Sequence, residues 1–144
     1  MRVGIDTDFL VRLSISDHPG REAAVALRDR HLAVGDRFVL APQVITEFVH
    51  VATDSRRFSH PLTMGKALAM AKLWCEAGEV DALFPNADSL VRFFDLMKKH
   101  KLGRKRVLDT SLAAALLAAG VQALITGSSA DYAQFSDLKL IELV

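Results

Sequence analysis

Disulfides are the first thing this chain cannot have. Its 144 residues include one cysteine, Cys75, so no intramolecular bridge can form. That fits a reducing compartment, and the expected location is the cytoplasm. Metal-binding Cys/His spacing is missing as well, which removes a structural zinc site. Long apolar runs are absent. The longest charge-free apolar stretch, Leu112 to Ile125, is broken by Gly120 and Gln122 and is too short to cross a bilayer. No secretory leader is expected, because Met1 runs directly into a short strand pattern ending at Asp6. Repeats, low-complexity tracts and linkers are also lacking. What remains is a single domain, residues 1–144, with 51% apolar residues and enough core to fold unaided.

Net charge is only +1, but its distribution is uneven. The segment KKHKLGRKR, residues 98–106, holds six of the 18 Lys and Arg. The other 135 residues carry 12 Lys or Arg against 17 Asp or Glu. An acidic body with one basic strip suits a polyanion held near an acidic feature. A solvated helix end is the plainer reading, since cations favour a helix C-terminus.

Strand-like runs occur at 2–5, 37–41, 79–84, 122–126 and 138–143. Helical spacing fills 21–32, 42–53, 62–77, 86–101 and 108–119, the second opening with Pro42 at a first-turn position. Trp74 and Cys75 are expected in the core. Strands alternating with helices predict an α/β fold with a mainly parallel sheet of about five strands, covered on both faces. Such sheets bind ligands beyond the C-terminal ends of their strands.

Four acidic positions fall where that crevice opens. Asp6, in VGIDTDFL, ends the first strand, with Asp8 beside it; an N-cap is its ordinary role. Glu47 lies on a narrow polar stripe with Gln43, His50 and Asp54, opposite an apolar face, and such a stripe commonly faces solvent. His50 is at most an accessory. Asp109 stands at the mouth of RVLDTSLAAALLAAG, a helix apolar on every side, where it either caps the helix or is held over a site. Asp131 follows the fourth strand in a loop of small residues that includes Ser128 and Ser129.

Clustered carboxylates repel one another unless a cation joins them. Hard divalent cations favour all-oxygen ligands, and Mg²⁺ typically takes one or two carboxylates plus waters and phosphate oxygens. Acids that bind Mg²⁺ or Mn²⁺ beside a basic strip suit phosphodiester hydrolysis.

At this point the chain resembles PIN-domain ribonucleases, specifically the VapC-type toxins of prokaryotic toxin–antitoxin systems. VGIDTDFL, PQVITEF, RVLDTSLAAALLAAG and ALITGSSADYAQF carry the resemblance, in order, across nearly the whole chain. It implies a three-layer α/β/α PIN-like fold and a metal-dependent endoribonuclease. Asp6, Glu47 and Asp109 match the family's Mg²⁺- or Mn²⁺-binding acids. The family's fourth position, acidic or Asn in many relatives, falls on Ser128, a departure. Asp131 matches the Asp of an Asp-Phe pair in which Tyr132 replaces Phe. Asp8 stands where Asn or Ser is usual. The expected catalytic set is therefore Asp6, Glu47, Asp109 and Asp131, with Asp8 and Asp131 as accessory ligands. Lys98, Lys99, Lys101, Arg104, Lys105 and Arg106 are expected to hold the RNA backbone. The resemblance also implies a VapB-type antitoxin partner, a homodimer and no membrane.

Two other readings fit parts of the sequence. DTDFL and LITGSS resemble two motifs of haloacid-dehalogenase-like phosphatases, but that fold needs a further Lys and acidic pair. Only 18 residues follow Thr126, and their Lys139 lies in an expected strand. Ser128 in place of an acid favours a PIN domain that binds RNA or protein without cutting.

Overall fold

The fourth strand lies against the first, although about 120 residues separate them. This pairing organises a computed structural model that describes all of residues 1–144. In chain order the elements are β1 (Arg2–Ile5), α1 (Thr7–Ser14), α2 (Arg21–Ala33), β2 (Arg37–Leu40), α3 (Pro42–Ala52) and α4 (Met64–Glu76). They continue with β3 (Val80–Ala82), α5 (Ala87–Lys99), α6 (Val107–Ala118), β4 (Ala123–Thr126), α7 (Ser129–Tyr132) and β5 (Lys139–Glu142). A 3₁₀ turn, Arg104–Arg106, leads into α6.

The sheet has the order β3-β2-β1-β4-β5 and every pairing is parallel. Parallel neighbours need crossover connections, and these carry the helices over the sheet. Contacts run among α1, α2, α3 and α4 on one side and among α5, α6 and α7 on the other. The architecture is the expected α/β fold. From β1 the chain moves outward to β2 and β3, then returns to the other side of β1 for β4 and β5. The order therefore reverses between β1 and β4, and a crevice opens beyond their C-terminal ends.

The central strands are continuous apolar runs, as buried parallel strands should be. Val3, Ile5, Val39, Leu124 and Ile125 are buried. Helix α6 inserts Leu112, Ala113 and Leu116 into this core and approaches β1 so closely that Gly4 must lack a side chain. A Cβ there would sit 2.7 Å from Leu116 Cδ1. Pro42 occupies the first turn of α3 as the sequence suggests, and Asn86 with Ser89 forms a capping box at α5.

Two expectations require correction. Cys75 is exposed, and Trp74 packs against the core but is only half-buried, because α4 turns mainly its alanines, Ala67 and Ala71, fully inward. An aromatic beside a cysteine does not reveal which face of a weakly amphipathic helix is buried. The segment after β4 is not only a loop, since Ser129–Tyr132 forms the short helix α7.

Candidate active site

Asp6 is held by the reversal point itself. Its backbone N–H donates to the Ile125 carbonyl at 3.0 Å, continuing the β1–β4 ladder. As N-cap of α1, its Oδ1 accepts from the Thr7 N–H at 2.8 Å. Its Oδ2 accepts from the Thr126 hydroxyl at 2.8 Å. Thr126 is buried at the end of β4, and its oxygen accepts in turn from the Ser128 N–H at 3.0 Å. The capping role and the crevice position thus belong to one side chain.

Asp109 lies in the first turn of α6 and does not cap it; Arg106 occupies the N-cap position, and its side chain makes no capping bond. A carboxylate here gains from the partial positive charge of the helix N-terminus. Between the two acids stands Tyr132, a buried side chain of α7. Its hydroxyl lies 3.3 Å from Asp109 Oδ1 and 3.4 Å from Asp6 Oδ2. Both contacts are long for O–H···O bonds, and one proton cannot serve both acceptors at once. Asp6 and Asp109 therefore face each other across a single phenol.

Their electrostatics reflect this crowding. Burial raises the Asp6 carboxyl above its ordinary value, against the lowering effect of the Thr126, Thr7 and Tyr132 bonds. Burial also raises Asp109, reinforced by the charges of Asp131 and Asp6. The Tyr132 phenol is driven far upward by burial and the two neighbouring carboxylates, so it stays protonated and donates.

These groups line a cavity of about 890 Å³. Glu47, from α3, lines the same cavity, as do Asp8, His50 and Ser128. The structure brings Asp6, Glu47 and Asp109 to one space, but only Asp6 and Asp109 share a hydrogen-bonding partner. Asp8 accepts from Arg12 at 2.9 Å. Gly127 passes so close to Asp8 that a Cβ would lie 2.2 Å from Oδ2.

Asp131 does not line the cavity. It accepts from Arg106 at 2.6 Å, and Arg106 lies 4.0 Å from Asp109 Oδ2. Lys98, Lys99, Lys101, Arg104 and Lys105 are exposed and none reaches the cavity. Arg57, in the loop after α3, is the only Lys or Arg on the cavity wall. The sequence alone gave no role to Arg57, Thr126 or the Tyr132 hydroxyl. Thr126 alone carried a signal, as a polar residue ending a buried strand beside β1. Lys139 is exposed on β5, away from the site, so the lysine a phosphatase arrangement needs is not supplied.

No three His, Cys, Asp or Glu side chains form a closed metal-binding set. Mg²⁺ rarely has such a set, since it keeps several waters and takes one or two carboxylates. An all-oxygen pair with raised carboxyl pKa values and an acid on the adjoining wall suits a hard cation in chemistry and charge.

The geometry defines the class of fold first: a PIN-like α/β/α domain with an acidic crevice at the sheet reversal. Among solved structures, VapBC-1 from nontypeable Haemophilus influenzae shares this fold, with TM-score 0.67 and 20% identity over 99% of this chain and 98% of that one. VapBC2 from Rickettsia felis, bound to a promoter DNA fragment, gives TM-score 0.71 at 14% identity over the full length of both chains. Mycobacterium tuberculosis VapC20, a sarcin-ricin-loop-cleaving toxin, gives 0.61 at 18% identity over 85% of this chain and 86% of its own. No family sequence model and no curated protein matches the chain.

Proposed function

We propose that the protein is a metal-dependent endoribonuclease of the VapC toxin type. The observation that carries this is the Asp6–Asp109 pair, two carboxylates made difficult to ionise and held face to face at the mouth of the β1–β4 crevice. In this reading Asp6 and Asp109 hold Mg²⁺ or Mn²⁺, and Glu47 adds charge from the opposite helix. When bound, the cation supplies the Lewis acidity and positive charge that phosphodiester hydrolysis requires.

The chain's own residues do the rest. Thr126 and the Thr7 N–H fix the Asp6 carboxylate so that it is already oriented when substrate arrives. Arg57 meets a phosphate on the cavity wall, and the exposed lysines and arginines of 98–105 steady the flanking backbone without reading sequence. The fold shared with VapBC structures supports a VapB-type antitoxin as partner. Exposed apolar side chains, Leu68 and Leu73 on α4 and, separately, Leu90, Val91 and Phe94 on α5, give such a partner or a second copy surfaces to cover.

Asp6→Asn is expected to abolish Mg²⁺-dependent RNA cleavage while keeping the fold, because Asn also caps helices well. Cleavage by this variant at the wild-type rate in magnesium would refute the proposal. Ser128 at the site favours a second reading, a domain that binds RNA without cutting. RNA binding insensitive to EDTA, with no cleavage by the wild type, would select it.

A further inference from the structure

We propose that Asp131 is a positioning residue that holds the Arg106 guanidinium off Asp109 and so keeps the carboxylate pair open to a divalent cation. This rests on the metal-binding reading above.

Arg106 has two carboxylates within reach. Its Nη1 donates to Asp131 Oδ1 at 2.6 Å and stands 4.0 Å from Asp109 Oδ2. Arg106 and Asp109 are three residues apart at the start of α6, a spacing that puts their side chains on one helix face. Without Asp131, Asp109 is the nearest remaining acceptor. A guanidinium is a permanent cation whose forked donors match a carboxylate. Seated on Asp109, it would neutralise half of the acidic pair and occupy the cation's approach.

Asp131 is built to prevent that. Its main chain is fixed at both ends: its N–H donates to the Ser128 carbonyl at 2.9 Å, and its own carbonyl accepts from Gln134 Nε2 at 2.9 Å. The side chain lies outside the cavity, so it reaches Arg106 and not the space between Asp6 and Asp109. Both partners are 36% exposed, where ion pairs add little to folding stability. The consequence of breaking the pair belongs to cation affinity, and the variants remain folded.

The test is a MgCl₂ titration of melting temperature, followed by calorimetry, on full-length protein freed of metal. Asp131→Asn is expected to raise the Mg²⁺ concentration at half-maximal stabilisation about fivefold, the effect of one exposed ion pair. Adding Arg106→Gln to Asp131→Asn is expected to restore the wild-type midpoint. Adding Arg104→Gln instead, which removes the same charge from an exposed neighbour, is expected not to restore it. A double variant Asp131→Asn/Arg106→Gln as weak as Asp131→Asn alone would make Asp131 a ligand and overturn the proposal. Equal rescue by Arg104→Gln would reduce the effect to general charge and overturn it too, as would an unchanged midpoint in Asp131→Asn. A wild type whose melting temperature ignores Mg²⁺ and Mn²⁺ would overturn the metal reading and this proposal together.

Discussion

Thr126 illustrates how much one hydroxyl can settle. It donates to Asp6 and accepts from the Ser128 N–H, and Thr126 itself is fully buried. Thr126→Val keeps the shape and removes both bonds, leaving Asp6 Oδ2 with only the long Tyr132 contact and the Ser128 N–H without its partner. The expected cost is about 1–3 kcal/mol in urea unfolding. RNA cleavage should fall as well, because Asp6 loses its orienting donor. Unchanged stability and rate would show that the Thr7 N–H and the Tyr132 hydroxyl suffice to hold Asp6. At this scale the acids were legible, since Asp6 and Asp109 each break an apolar pattern near an element boundary and Glu47 stands on a narrow polar stripe of an otherwise apolar helix. Their hydroxyl partners were not. Which face of α7 turns Tyr132 inward depends on packing against α6, not on the local sequence. The six cations of 98–106 likewise read as one strip, yet Arg106 pairs with an acid 25 residues later.

Among the elements, β1 and α6 meet at one point with no room to spare, Gly4 against Leu116. Gly4 admits the Leu116 side chain where any Cβ would collide with it. Gly4→Ala is expected to cost about 1–3 kcal/mol through overpacking. Paired with Leu116→Ala, itself costing about 2–5 kcal/mol, the two losses should fall short of additive in chemical denaturation, since each substitution relieves the other. Strict additivity would mean that α6 shifts away from the sheet. The apolar character of α6 was plain in the sequence because it is buried on most sides. The burial of α4 was not, because a helix turning small alanines inward and leaving Leu68 and Leu73 outside sends a misleading signal.

For the molecule as a whole, the parallel sheet and its reversal followed from alternating strands and helices, while the strand order needed the structure. Charge at the reversal has a thermodynamic consequence. Asp6 and Asp109 both have carboxyl groups raised above their unfolded value of 3.8. Their contribution to stability is full below that pH and is lost as pH rises through their folded values. Asp36 and Asp54, lowered chiefly by hydrogen bonds from the N-terminal ammonium and the Arg56 N–H respectively, act in the opposite sense at lower pH. At neutral pH in EDTA, Asp6→Asn should therefore melt above the wild type. On the proposed metal reading the order should reverse in excess Mg²⁺, because the wild type then gains more from the cation than the variant. The same ranking in both conditions would separate the acidic pair from metal binding.

The order of synthesis adds a constraint of its own. Residue 6 leaves the ribosome early, whereas Thr126 and Tyr132, which orient its carboxylate, emerge more than a hundred residues later. Domains fold as units during translation. Chains that stop short of β4 carry Asp6, Glu47 and Asp109 yet lack Thr126 and Tyr132, so the Asp6 carboxylate acquires these partners only when the last fifth of the sequence is in place.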